Sequence, residues 1–340
     1  MGDAAFNQLR RNPLTGRWVT IAAGRASRPQ DFLTRVLAVE GSEGRPCPFC
    51  PGHEEHTPAE LGSYGLDSRW LVRVVPNRYP AFEGSDPMKV DTLSPLHARA
   101  PASGRHEVLI LAREHDLRLD QLDSRRMALV MAALRDRFDE HSRLPEVAYT
   151  QAIVNYGREA GASLEHSHAQ LLGIPFVPGE IDDEYRGFAE HQATHGDGCL
   201  LCDAVAEELA EHHRVVLADR HAVAIAPWWS GAPYEMLIVP RTHRERAPDA
   251  DPAEVVGVGC VLRDALRRLR HVLGDVAYNV VVHTAPHQAR GTYHWHIHLL
   301  PRTSTAAGFE QGTGVLINTV PPEIAAADLR DPDAVMSAGR

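Results

Sequence analysis

Apolar and polar positions alternate along residues 106–115, "HEVLILAREH", and again along 234–243, "YEMLIVPRTH", which is the two-residue period of a half-buried strand. Each stretch is followed by a run with helical periodicity that starts on an acidic residue: "DSRRMALVMAALRDRF" at 123–138 and "DPAEVVGVGCVLRDALRRLR" at 251–270. A second strand comes next in both places, "VAYTQAIVN" and "VAYNVVVHT", then a loop, then a histidine cluster. Aligning the two stretches puts Glu107 on Glu235, Arg113 on Arg241 and His115 on His243. His115 precedes His166 by 51 residues, and His243 precedes His294 by the same 51. This is a repeat. It predicts an α+β protein of two halves, 1–178 and 179–340, each an antiparallel sheet with helices on one side, joined through a polar, acidic segment near 178–197. The stretches 26–46 and 84–103 read as loops, and the chain beyond about 320 carries little periodicity.

Composition narrows the class. The chain has 340 residues, 44% hydrophobic and 24% charged, enough for a sizeable core. A net charge of −10 argues against a nucleic-acid binder, whose phosphate contacts need a basic surface. No stretch approaches the roughly 20 apolar residues that span a bilayer, so no membrane partner is expected. The amino terminus, "MGDAAFNQLRRNP", lacks the apolar core of a signal peptide, and the expected location is the cytoplasm.

Four of the five cysteines form Cys47-x-x-Cys50 and Cys199-x-x-Cys202, one pair at the start of each half. In a reducing compartment this pattern points to metal rather than disulfides. A C-x-x-C turn offers two thiolates from one knuckle, and later histidines complete a tetrahedral zinc site. The expected sets are Cys47, Cys50, His115 and His166, then Cys199, Cys202, His243 and His294: two structural zincs. Cys260 falls within a helical pattern as a small buried side chain.

In "LEHSHAQLL" (164–172), strand geometry puts His166, His168 and Gln170 on one face. Neutral imidazole is a nucleophile toward phosphorus when one ring nitrogen is held protonated and the other is aimed at the target. His168, one strand step from a metal-held His166, is so placed, and Gln170 shares its face. Upstream, "NYGREAGAS" (155–163) offers Asn155, Ser163 and glycines that let backbone N–H groups approach a phosphate.

These segments, with "LTGRWVTIAAGRASRP" (14–29), "PNRYPAF" (76–82) and "GFEQGTG" (308–314), resemble the galactose-1-phosphate uridylyltransferase branch of the histidine-triad superfamily over roughly residues 8 to 320. The resemblance implies a duplicated histidine-triad-like fold with pseudo-twofold halves, a homodimer, and covalent nucleotidylation of His168 with Gln170 bonding the transferred phosphoryl group. It further implies nucleotide-sugar contacts at Arg25, Arg28, Asn77, Asn155 and Ser163, with Phe309 and Glu310 near the sugar. Typical uridylyltransferases carry His-Pro-His-Gly-Gln; here the run is His166-Ser167-His168-Ala169-Gln170. The serine and the second C-x-x-C set are more like the ADP-glucose phosphorylase relatives, which pass an adenylyl group to phosphate. The implied reaction is a ping-pong exchange between a nucleotide-sugar and a sugar 1-phosphate, of the UDP-glucose type, with adenylyl transfer to phosphate as the alternative. "HWHIHLL" (294–300) fits the complete pattern of histidine-triad nucleotide hydrolases, with His296 as the would-be nucleophile. His283 and His298 resemble positions that hold an additional metal in some relatives, in a region that the second zinc set also claims. A noncatalytic zinc-stapled binding module is the remaining class, and it leaves Gln170 and the glycine loop without a role.

Overall fold

The computed structural model describes residues 7–25, 46–66, 69–289 and 291–333, with only the backbone described at Arg25 and Leu66. The strands are β1 (Gln8–Arg11), β2 (Trp18–Ile21), β3 (Gly62–Leu66), β4 (Arg69–Pro76), β5 (Asp91–Ser94), β6 (His97–Arg99), β7 (Arg105–Ile110), β8 (Tyr149–Tyr156), β9 (His168–Ile174), β10 (Val215–Ala218), β11 (Ala222–Ile225), β12 (Met236–Pro240), β13 (Tyr278–His283), β14 (His296–Pro301) and β15 (Leu316–Asn318). The helices are α1 (Ser124–Ser142), α2 (Gly179–His195), α3 (Leu200–Glu211), α4 (Pro252–Leu273), α5 (Gly308–Thr313) and α6 (Pro322–Arg330).

Ten strands form one antiparallel sheet in the order β10-β11-β12-β14-β13-β8-β9-β7-β4-β3. Read outward from the β13–β8 seam, the order is the same in both directions: β13-β14-β12-β11-β10 on one side and β8-β9-β7-β4-β3 on the other. The seam register makes the symmetry explicit. Ile153 pairs with Val281, and these are separated by the same 128 residues that separate His115 from His243, so a local twofold passes through that pair. Tyr156 and Tyr278, paired across the seam, stack with centroids 5.0 Å apart. The fold is therefore the expected duplicated α+β arrangement, built as one continuous sheet.

α1 and α4 start where the sequence places their caps. Asp123 accepts from the Arg126 N–H at 2.8 Å, while Asp251 and Glu254 make a reciprocal capping box ahead of Pro252. The helices lie together against one face of the sheet, burying Met127, Met131, Val258 and Leu262 over Leu109, Leu111, Ala152, Leu171, Val280 and Leu299. Each such aliphatic side chain contributes about 1.5–3 kcal/mol by leaving water. Gly259 permits the close approach of the two helices, since a Cβ there would lie 2.5 Å from Met131 Cγ.

The opposite face differs from the expectation of helices on one side only. Over the second half it is covered by α2 and α3, with Phe188 and Leu201 packed on Val223, Ile225, Leu237 and Val239. Over the first half, Phe49 packs on Val75, Val108 and Ile110. The central strands, between these covers, present their polar residues on that face. Three further segments depart from the sequence reading. The acidic segment near 178–197 is α2, whose inner side is held by buried Ile181, Glu184 and Phe188. Residues 91–99 form the β5–β6 hairpin rather than open loop. Past residue 320 the chain forms α6, fixed by buried Ala325, Ala326 and Leu329. The three-stranded sheet β1-β2-β15 stands apart from the large one. Among the described residues no helix is long and apolar enough to cross a membrane.

Candidate active site and metal clusters

β9 carries the centre of the site. His168 is 6% exposed, and its Nδ1 lies 2.9 Å from the His166 carbonyl oxygen. A carbonyl only accepts, so Nδ1 holds the proton and Nε2 keeps its lone pair. Burial pushes the His168 pKa down, which favours the neutral ring a nucleophile requires. The edge of Phe49 packs against it with centroids 5.4 Å apart.

His166, two residues earlier, is fixed from both sides. Its Nε2 donates to Ala112 O at 2.8 Å, and its Nδ1 lies 3.7 and 3.6 Å from the sulfurs of Cys47 and Cys50. His115 Nδ1 is 3.3 Å from Cys50 Sγ. Tetrahedral zinc with Zn–S near 2.3 Å and Zn–N near 2.0 Å separates neighbouring ligand atoms by about 3.5 Å, and this donor set matches that spacing and chemistry. The backbone donation from His166 is the usual outer partner of a zinc-bound imidazole. The consequence for His168 is direct, because the carbonyl that sets its tautomer belongs to His166.

The second expected set is gathered as three residues. Cys199 and Cys202 each place sulfur 3.5 Å from His294 Nδ1. His243 lies beside this group, its ring stacked on His294 at 5.1 Å and its Nε2 donating to Tyr293 O at 2.8 Å as His166 does to Ala112 O. A hydrogen bond from Cys202 is the largest influence holding the Cys199 thiol down, and the same bond pushes the Cys202 thiol up, so without a metal the proton of the pair stays on Cys202.

A further cluster draws together Glu184 of α2, His283 of β13, and His296 and His298 of β14. Glu184 Oε1 lies 2.9 Å from His283 Nδ1 and 3.7 Å from the Nε2 atoms of both His296 and His298. Tyr293 donates its hydroxyl to the other carboxylate oxygen. Burial would raise the Glu184 pKa, yet the surrounding imidazoles hold it well below the carboxylate range. Three imidazoles and one carboxylate form a donor set for a transition metal. The competition anticipated for this region does not arise, because His294 turns to the cysteines while His283, His296 and His298 turn to Glu184. His296 is fully buried inside this cluster, its Nε2 3.1 Å from His298 Nε2 and 3.7 Å from Glu184 Oε1.

The remaining expected contacts are distributed unevenly. Asn155 sits in β8 on the His168 face, and Asn279, directly across the seam, donates to its Oδ1 at 2.7 Å while Arg302 donates to Asn279 Oδ1 at 2.6 Å. This chain fixes the Asn155 carbonyl and leaves its NH2 facing the loop of Gly157 and Gly161, whose φ values of 83° and 84° suit glycine. Ser163 is exposed on that loop. Asn77 neighbours His106, which contacts Gln170 at 2.9 Å. Phe309 and Glu310 lie on α5, which leads into β15 of the small sheet; Phe309 is exposed, and Glu310 accepts from Ala307 N–H. The Arg25 side chain and all of Arg28 lie outside the described residues. Sequence reasoning missed Glu184, His106, Asn279 and Arg302. The signal for Asn279 was a lone amide in an otherwise apolar strand.

With this geometry in hand, fold and site define a nucleotidyltransferase built on a duplicated histidine-triad-like scaffold. The family model described as "Galactose-1-phosphate uridyl transferase, N-terminal domain" matches residues 2–178, and one described as a domain of unknown function matches 103–332. The chain is 31% identical to ADP-glucose phosphorylase of Arabidopsis thaliana over 97% of its own length and 95% of that protein. It is 26% identical to galactose-1-phosphate uridylyltransferase of Haemophilus influenzae over 90% and 88%. Among solved structures, an ADP-glucose phosphorylase from Arabidopsis thaliana with bound ADP-glucose superimposes with a TM-score of 0.82 at 29% identity, covering 96% of this chain and 98% of the other. A uridylyltransferase structure gives 0.74 at 26%, covering 98% and 100%. The chain belongs to the galactose-1-phosphate uridylyltransferase family, which includes both kinds of enzyme.

Proposed function

We propose that the protein moves a nucleoside monophosphate from a nucleotide-sugar to a phosphate acceptor through a covalent nucleotidyl-His168, with ADP-glucose as donor and inorganic phosphate as acceptor. The observation that carries this reading is the His168 ring, its Nδ1 proton tied to the His166 carbonyl and its Nε2 lone pair left for attack, on one face with Gln170. Nε2 attacks the α-phosphorus, a P–N bond forms, and the bond to the bridging oxygen breaks, releasing glucose 1-phosphate. A phosphate oxygen then attacks the same phosphorus and frees His168. Charge building on the nonbridging oxygens calls for fixed donors, a role suited to the carboxamides of Gln170 and Asn155 and the N–H groups of the glycine loop.

The choice of adenylyl donor is supported by the identity and coverage of the ADP-glucose phosphorylase likeness and by Ser167 between the histidines. Transfer of a uridylyl group from UDP-glucose to a hexose 1-phosphate is supported by the amino-terminal family model and shares every step, differing only in base and acceptor. Intact-mass measurement after incubation with ADP-glucose or UDP-glucose tests both. An adenylyl adduct that is discharged by phosphate is expected; a uridylyl adduct alone selects the second reading, and no adduct from either donor rejects both.

We further propose zinc at Cys47, Cys50, His115 and His166, a second at Cys199, Cys202 and His294, and a further ion held by Glu184, His283, His296 and His298. When bound, the first supplies positive charge that pins two imidazoles and two thiolates and touches no substrate atom. Elemental analysis of the purified protein is expected to find zinc that falls in Cys47→Ser, and a zinc-free native protein overturns this assignment. The acting unit is proposed to be a homodimer, which sedimentation measures.

A further inference from the structure

We propose that His106 is a positioning residue that sets the direction of the Gln170 carboxamide, turning its NH2 group toward the phosphoryl group being transferred. This rests on the reading of His168 as the nucleotidyl acceptor.

β7 and β9 run antiparallel, with His106 opposite Leu172 and Gln170 opposite Val108, so the two polar side chains are diagonal neighbours on the His168 face. The Ala81 backbone N–H donates to His106 Nδ1 at 3.1 Å. An amide N–H cannot accept, so Nδ1 carries the lone pair and the ring proton sits on Nε2. Nε2 has two polar neighbours, Gln170 Oε1 at 2.9 Å and Asn77 Nδ2 at 3.1 Å. The second is the NH2 end of its amide, because Asn77 Oδ1 already accepts from the Tyr79 N–H at 2.8 Å in a tight local turn. It offers hydrogens and no lone pair. The Nε2 proton therefore goes to Gln170 Oε1.

That single bond decides what Gln170 shows to the rest of the face. Its oxygen is occupied, and its two N–H donors remain; among the described residues they meet no acceptor. The Asn77 NH2 lies beside the same ring nitrogen, so carboxamide N–H groups are what this end of the His168 face offers. Such a place favours an anionic oxygen. With the Gln170 amide turned over, its carbonyl dipole would instead meet the charge that develops on phosphorus-bound oxygen, and the stabilisation would change sign. An isolated carboxamide has little preference between these two orientations. The ring of His106, itself fixed by the Ala81 N–H, supplies that preference before the substrate arrives.

The test measures the rate of nucleotidyl-His168 formation by rapid quench with ADP-glucose and with UDP-glucose. His106→Phe keeps the bulk of the ring and removes its donor. The expected result is a kcat lowered about 10- to 100-fold with KM within about twofold, and substantial recovery in His106→Gln, whose amide can still donate to Gln170 Oε1. In a Gln170→Ala background the His106→Phe change is expected to have no further effect, because its route of action is gone. An undiminished kcat in His106→Phe overturns the proposal, and so does an equal fold-loss in the presence and absence of Gln170, the signature of a merely structural role. Should the Phe variant not fold, His106→Ala is measured under the same criteria. Failure of the native protein to form an adduct with either donor is a separate outcome, and it removes the underlying reading together with this inference.

Discussion

The two histidine strands of this protein share a scaffold and differ in chemistry. In both, the central imidazole donates its Nδ1 proton to the carbonyl two residues back, His168 to His166 at 2.9 Å and His296 to His294 at 2.8 Å. In both, that earlier histidine faces a pair of cysteines. The differences lie at two symmetry-related positions and in the cover. Gln170 corresponds to His298 and Asn155 to His283, each pair 128 residues apart. Over the second half, α2 adds Glu184. Amide NH2 groups that suit an anion are thus replaced by imidazoles and a carboxylate that suit a cation. Two side chains on one face and one covering helix thus distinguish the two histidine clusters on the same backbone.

The largest expected effect tests that separation at its centre. His168→Gly removes the attacking nitrogen, and transfer should fall by about 10⁴-fold or more with no nucleotidyl adduct detectable by intact mass. His296→Gly should still give the adduct and should act instead on stability, lowering Tm by opening a cavity beside the buried Glu184 carboxylate. The reverse pattern, an adduct that persists without His168 and vanishes without His296, would invert the comparison.

Much of this contrast was legible in the chain. The 51-residue spacing gave the duplication, the alternation gave β7 and β12, and strand geometry put His168 and Gln170 on one face. What escaped depends on packing. Glu184 lies in "EIDDEYRGF", where one acidic residue among several reads as a solvated surface, and only the docking of α2 singles it out for burial. His106 sits in a polar run, Arg105-His106-Glu107, ahead of the apolar stretch, and its tautomer is set by Ala81, 25 residues away, which no periodicity connects to it. His243 has the same spacing as His115, yet spacing constrains the backbone and leaves ring direction free; its ring stacks on His294, outside the group formed by Cys199, Cys202 and His294. α6 was hidden because its apolar side is mostly alanine, a small signal that becomes decisive when Ala325 and Ala326 fit against the core.

Glu107 and Glu235 carry the comparison to its smallest expected effect. They occupy equivalent positions, and both are buried. Arg137 forks onto Glu107 with bonds of 2.7 and 2.6 Å, and His141 lies 3.1 Å away. Burial favours the protonated acid, but His141 and Arg137 outweigh it and hold the Glu107 pKa below the usual range. Among the described residues Glu235 has no such cation; burial raises it to about 7, with the Gly231 and Ala232 N–H groups opposing only in part. The signs of the linkage are therefore opposite. Stability from Glu107 is present above its unfolded pKa and is lost as pH falls through the folded one. Glu235 binds its proton more tightly when folded, so its contribution is full below about pH 4.5 and is lost as pH rises through about 7. Glu107→Gln should cost about 1–3 kcal/mol at neutral pH by removing the buried carboxylate that Arg137 and His141 face, Arg137 keeping its ion pair with Glu140. Glu235→Gln should instead stabilise at pH 8, by on the order of 3 kcal/mol at most, with the gain fading toward pH 4.5. Urea unfolding across pH 4.5 to 8 measures both, and two variants that shift stability in the same direction at pH 8 would show that the halves do not treat this carboxylate differently.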